Sequence, residues 1–483
     1  MPYELRCNLN TPAKALHHPW RLCVGSGHAT LALRADWQAQ LRTAHDDLGF
    51  EYVRFHGLLD DDMGTLVNQQ DQLLYSFFNA DQIFDFLVSI GMRPIVELSF
   101  MPVALSSGDD TVFHYEGNIT PPRDMAQWEA LMRKLAAHWV ERYGIDEVAQ
   151  WYFEVWNEPN LPAFWTGTQE QYFALYDTTA RAIKGVDARL RVGGPATAAN
   201  AWIPEFQQFC RDHDVPVDFI STHLYPTDAL GEIGADTTTQ LERAPKDTMR
   251  THALDARAQA AGKPLLYTEW NITSNPRDPL HDGAAGAALA TRIVMSVDDV
   301  VDAYSYWTFT DIFEENYFPS VPFHGGFGLL NLHGIRKPTF QAFAMVARLG
   351  REHVAIAQEH PTVMVWAGEV RDGASHVLAI NQAAPRHAIG AETVTLRLTA
   401  PQGKHAATVH IARIDEDHAN PVALWDSWGA PDYLSAEQVQ ALHAAGTPVT
   451  EALPFTVDGN LLVLNVTLAA QSVNLIGIDW TAA

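Results

Sequence analysis

Between residues 20 and 349, short apolar runs alternate with stretches whose apolar positions recur every three to four residues. The runs at 21–24, 52–55, 94–98, 151–156, 190–192, 217–223, 265–268 and 303–308 read as strands. The stretches near 35–48, 81–90, 124–143, 169–186, 202–213, 246–261, 283–296 and 339–349 read as helices. Such strands pair in parallel, because each crossover between parallel strands needs a helix. Eight strand–helix pairs in series predict an α/β fold of one particular kind. It is a closed (β/α)8 TIM barrel rather than an open doubly wound sheet.

After residue 350 the pattern changes. β-branched runs at 376–380, 393–398, 407–414, 461–466 and 472–478 are separated by turn residues, with one helical stretch near 435–445. These predict a smaller antiparallel β-sandwich. The expected division is a catalytic barrel over 12–349 and an accessory sandwich over 350–483, with the N-terminal strand of 1–11 joining the latter. Segments 232–248 and 271–282 read as long polar loops.

Charge narrows the function classes. Thirty-two Lys and Arg against 58 Asp and Glu leave a net charge of −26. Such a chain is a poor partner for nucleic acid or an anionic membrane, both of which need cationic contacts. No apolar stretch approaches a membrane span. The acidic surface favours a monomer. Cys7, Cys23 and Cys210 are too few for a disulfide framework. No basic segment followed by an apolar run opens the sequence, so the expected location is cytoplasmic.

Barrel enzymes place their chemistry at the C-terminal ends of the strands. His56 ends the second run; Asn157 and Glu158 follow the fourth; His223 and Tyr225 end the sixth; Glu269 ends the seventh. Trp307 ends the eighth, with Glu314 and Glu315 in the loop beyond. A glutamate at a strand end can simply be a loop ion pair. Here Pro159 restricts Glu158, and Glu269 is flanked by Thr, Trp and Asn with no cation beside it in the sequence. Two such carboxyls among aromatic and polar groups suit glycoside hydrolysis, in which one protonates the departing oxygen and the other attacks the anomeric carbon or activates water. His223 and Tyr225, two apart on a strand, face one side. Trp307 offers a flat platform for the apolar face of a sugar. Glu97 and Glu154, inside strand runs, read as structural polar residues of the barrel. His-Glu-x-x-His is absent, and Gly25-Ser-Gly27 lacks the third glycine of a dinucleotide loop, so neither a metal nor an organic cofactor is expected.

The ordered set of motifs resembles glycoside hydrolase family 39, known for β-D-xylosidase and α-L-iduronidase activities. It comprises Arg54-Phe-His-Gly-Leu-Leu, Asp60-Asp-Asp-Met, Trp151-Tyr-Phe-Glu-Val-Trp-Asn-Glu-Pro-Asn-Leu and Val192-Gly-Gly-Pro-Ala. Ser221-Thr-His-Leu-Tyr-Pro, Thr268-Glu-Trp-Asn, Ser305-Tyr-Trp-Thr-Phe-Thr-Asp-Ile-Phe-Glu-Glu and Gly325-Gly-Phe-Gly-Leu-Leu follow, then His418-Ala-Asn-Pro and Trp425. The resemblance implies a retaining glycosidase with Glu158 as acid/base and Glu269 as nucleophile. It also implies a sugar site formed by His56, Asn157, His223, Tyr225, Trp307, Glu314 and Glu315.

Segments 153–160, 222–226, 267–271 and 305–315 contain no Lys or Arg to hold a uronate, which favours a neutral pentose. The expected activity is therefore release of xylose from the non-reducing ends of β-1,4-xylo-oligosaccharides, as in xylan degradation. The alternatives are an α-L-iduronidase or arabinosidase on the same barrel, or a non-catalytic carbohydrate-binding protein.

Overall fold

Eight parallel strands close into a barrel in the computed structural model, which describes residues 2–228, 236–315, 317–356, 358–385 and 387–482. In chain order the barrel strands are Cys23–His28, Tyr52–His56, Arg93–Glu97, Tyr152–Glu154, Arg191–Thr197, Phe219–His223, Leu265–Trp270 and Ala303–Tyr306. The last pairs with the first. The start of the first strand differs from expectation because Pro19–Arg21 forms a 3-10 turn, and proline has no N–H for a ladder.

The barrel interior is layered. Cys23, Tyr52, Ile95, Phe219, Leu266 and Ala303 form an apolar plug near the N-terminal ends of the strands. Above it, one or two residues further along their strands, lie Arg54, Glu97, Glu154 and Thr268, all buried and polar. The functional residues stand on this polar layer, at the end where barrels build their sites.

Two sheets make up the second unit. One pairs Tyr3–Asn8 in parallel with Glu392–Thr399 and continues through Leu461–Leu468 and Phe455–Asp458. The other has seven strands, with Ala374–Asn381, Ser472–Ala482 and Lys404–Ile414 at its centre. Alternate residues from both sheets, among them Leu396, Leu464, Val365, Val377, Ile411 and Ile476, share one core. The outer face of the larger sheet joins the barrel core through Leu378, Ile380, Val473 and Leu475.

Some elements differ from the sequence reading. Within 232–248, residues 229–235 lie partly inside that span and outside the described residues, but Thr237–Arg243 is a helix. The Asp236 side chain caps it by accepting from the Thr239 N–H at 3.0 Å, so a thoroughly polar segment still satisfies its first turn. Pro421–Ser427 is a further helix, and Glu352–Val354, Val363–Gly368, Thr450–Ala452 and Phe455–Asp458 are further strands. The expected helix near 435–445 forms as Ala436–Ala445, with a capping box between Ser435 and Gln438. Among the described residues, no helix is long and apolar enough to cross a membrane.

Candidate active site

The fourth barrel strand ends at Glu154, and the chain then turns sharply. Trp156 and Glu158 have φ of 72° and 45°. Pro159 alone would favour an extended Glu158. Instead the Glu158 N–H donates to the Ala196 carbonyl at 2.8 Å, and its own carbonyl accepts from the Leu161 N–H at 2.9 Å. These bonds hold the residue in the left-handed region and aim its side chain into the barrel mouth. Conformations of this kind cluster where surrounding structure overrides local preference.

Glu269 is positioned differently. The sixth strand pairs Thr222 with Tyr267 but His223 with Glu269, and the eighth pairs Tyr304 with Tyr267 but Tyr306 with Trp270. The seventh strand therefore holds one extra residue against both neighbours. This bulge lets consecutive side chains, Thr268 and Glu269, both make polar contacts inside the barrel.

Beneath them sits Arg54, which is fully buried. Its guanidinium meets Glu154 at 2.6 Å, Glu97 at 2.8 Å and Glu269 at 3.3 Å, and donates to Asn157 Oδ1 at 2.9 Å. Glu269 has no cation beside it in the sequence; its cation comes from the second strand, 215 residues away. Glu97 and Glu154 do serve the barrel structurally, as the counter-charges that let Arg54 remain buried. Tyr225 donates to the other Glu269 oxygen at 2.5 Å.

His223 lies behind both carboxyls. Its Nδ1 is 3.0 Å from Glu158 Oε1 and 3.6 Å from Glu269 Oε2. One oxygen each of Glu158 and Glu269 and a ring nitrogen of His223 all lie within 4.8 Å of one another. These three could hold a metal ion by distance, but each His223 nitrogen already has a hydrogen-bond partner, Glu158 on one side and Thr268 on the other. Burial pushes the Glu158 carboxyl up to about 7. Burial also raises Glu269, reinforced by the neighbouring Glu158, while the Arg54 guanidinium opposes the shift.

A single cavity of about 570 Å³ opens above the carboxyls. Seven of the nine expected residues line it: His56, Asn157, Glu158, Tyr225, Glu269, Trp307 and Glu315. The other two do not. His223 supports the carboxyls from behind, and Glu314 turns away. The Glu314 carboxylate pairs with His28 Nδ1 at 2.8 Å, whose Nε2 faces Asp60 at 3.2 Å and Asp62 at 3.3 Å. His28 with Asp60 and Asp62 is a second group close enough for a cation. Carboxylates at both ring nitrogens suit an imidazolium, and His28 is raised to about 11 by these pairings against the opposing effect of burial.

His56 bridges Glu97 at 2.8 Å and Glu315 at 3.4 Å. Burial, reinforced by repulsion from Glu269, pushes Glu315 up to about 8. Gly25 and Gly27 leave room for aromatic rings: a Cβ on Gly25 would run into Trp307, and one on Gly27 would approach Phe313 at 2.9 Å. That packing role replaces the phosphate-loop question raised by the sequence.

Sequence reasoning missed Arg54 beneath the site. It also missed the aromatic walls Phe113, Phe164 and Phe327, and the polar wall formed by Asn160, Asp228 and Gln240. Arg54 stood inside a quoted motif, and a buried charge on a barrel strand was the available signal. Asn160 and Phe327 also stood inside quoted motifs, whereas Phe113, Phe164, Asp228 and Gln240 lay outside any motif.

The chain matches the family model described as Glycosyl hydrolases family 39 over residues 3–462. It is 46% identical over 459 residues to a beta-xylosidase of Caldicellulosiruptor saccharolyticus, with 94% of each chain covered. A beta-xylosidase of Geobacillus stearothermophilus is 37% identical over 478 residues, which are 95% of this chain and 92% of that one. The crystal structure of a monomeric beta-xylosidase from Caulobacter crescentus CB15 superposes with a TM-score of 0.86 at 33% identity, covering 99% of both chains. With buried carboxyls converging on one cavity of a closed barrel, this chain belongs to glycosyl hydrolases family 39 and is a glycoside hydrolase.

Proposed function

We propose that the enzyme is a retaining exo-β-xylosidase that releases xylose from the non-reducing ends of β-1,4-xylo-oligosaccharides by double displacement. The observation that carries this reading is that one carboxyl oxygen of Glu158 and one of Glu269 come within 4.8 Å of each other in one cavity. Retaining enzymes hold their carboxyls about 5–5.5 Å apart, whereas inverting enzymes leave about 6.5–9.5 Å for a water. Glu269 is the nucleophile: Arg54 and Tyr225 favour its ionised form and fix its orientation. Glu158, pushed up to about 7, is the acid that protonates the departing oxygen and then the base that activates water. Asn157, held by Arg54, faces the cavity as a partner for a sugar hydroxyl. His56, Glu315 and Trp307 bind the remainder of the ring. No cofactor takes part in this scheme.

The sugar class follows from charge. No Lys or Arg is among the described residues lining the cavity, while Glu158, Asp228, Glu269 and Glu315 are. A uronate there would be repelled rather than held. A neutral pentose fits this lining, and the names of the two similar enzymes support xylose. The net charge of −26 supports a monomeric working state.

The test is a panel of aryl glycosides of xylose, arabinose, glucose, galactose and iduronate, run across pH. The β-xyloside should give the highest kcat/KM, by about tenfold or more over sugars that differ by one hydroxymethyl or hydroxyl group. Glu158 must be protonated, so the rate should fall as pH rises through about 7. Glu269 must be ionised and is raised by burial, so the rate should also fall on the acid side, above the ordinary glutamate range. Preference for the iduronide, or a rate still rising beyond pH 8, would contradict the reading.

A further inference from the structure

Thr268 has one hydroxyl proton, and it goes to Glu154 Oε1 at 2.7 Å, a carboxylate held in turn by Arg54. The Thr268 oxygen can then face His223 Nε2, 3.1 Å away, only as an acceptor. The ring therefore carries its proton on Nε2. Burial drops His223 to about 4, so at working pH the ring is neutral and Nδ1 presents a lone pair. That lone pair is 3.0 Å from Glu158 Oε1. Two acceptors cannot share a hydrogen bond, so the proton between them belongs to Glu158.

We propose that Thr268 is a positioning residue that sets the tautomer of His223 and through it keeps Glu158 in the acid form before substrate arrives. This rests on the reading of Glu158 as the acid/base. The opposite tautomer would donate from Nδ1 to Glu158, with Glu269 Oε2 also near at 3.6 Å, and would favour the ionised carboxylate. That is the wrong form for the first chemical step. The charged groups around the ring are Glu158, Glu269, Arg54, Glu154 and Glu97. Of these, Glu154 is the one tied to Nε2 by hydrogen bonds among the described residues, through Thr268. The bulge in the seventh strand gives the interaction its geometry, because without the extra residue Thr268 and Glu269 could not both turn inward.

Thr268→Val keeps the shape and removes the hydroxyl; Thr268→Ser keeps the hydroxyl. For Thr268→Val, the alkaline limb of kcat/KM should move down by about 0.5–1 pH unit, a three- to tenfold loss above the limb. Thr268→Ser should keep the wild-type limb. An unmoved limb in the valine variant, or an equal shift in the serine variant, overturns the proposal. Long-range nitrogen–proton NMR on histidine-labelled wild-type enzyme reads the tautomer without substrate. The His223 signal is identified by its loss in His223→Asn. A proton on Nε2 is expected, and a proton on Nδ1 overturns the proposal even if the valine variant does not fold. Wild-type turnover of the aryl xyloside separately tests the glycosidase reading.

Discussion

Glu269→Ala should lower kcat/KM for an aryl β-xyloside by on the order of 10⁵-fold, the scale of removing a covalent nucleophile. At about 1.36 kcal/mol per factor of ten, this is roughly 7 kcal/mol of transition-state stabilisation. The alanine leaves Arg54 paired with Glu97 and Glu154, so the polar layer of the barrel remains held together. It also leaves a space beside Tyr225 and Arg54 that a small anion can enter. Azide should attack the anomeric carbon from the face the carboxylate occupied, giving the inverted xylosyl azide. A variant retaining activity within tenfold of wild type would show that another group attacks the sugar.

Glu158→Ala should produce a different pattern. General acid–base assistance contributes about 10²–10⁴-fold, and its share depends on the leaving group. An activated aryl group departs without a proton, so the first step is little affected and the glycosyl-enzyme accumulates because water lacks its base. Xylo-oligosaccharides, with poor leaving groups, should lose activity in both steps. Azide needs no base, so it should rescue the second step and give the retained azide. The alkaline limb near pH 7 should also disappear, because the group pushed up by burial is gone. If the variant kept its limb and its oligosaccharide activity, the acid would have to be sought elsewhere.

Parallel barrel strands are legible in a sequence because burial on both faces turns each into an apolar run, and a polar residue at the end of such a run stands out. Asn157, Glu158 and Glu269 were visible for that reason. Thr268 was not, because one extra residue inside a continuously buried strand leaves the pattern unchanged; only the pairing of its neighbours exposes the bulge. Glu314 and Glu315 could not be told apart by periodicity, because an irregular loop has no period to say which carboxyl faces inward, and His28, 286 residues away from Glu314, decides it. Arg54 was visible as a charge inside an apolar run, but its role was not, because its partners Glu97, Glu154 and Glu269 arrive from three other strands. The Thr237–Arg243 helix was obscured by polar residues that gave no apolar stripe, yet it brings Gln240 to the cavity wall.

The anomeric configuration of the first sugar released tests the two-carboxyl account most directly. Proton NMR during hydrolysis of an aryl β-xyloside should show β-xylose first, with the α-anomer growing only as mutarotation proceeds. Appearance of α-xylose from the outset would mean single displacement by water and would contradict the proposed double displacement.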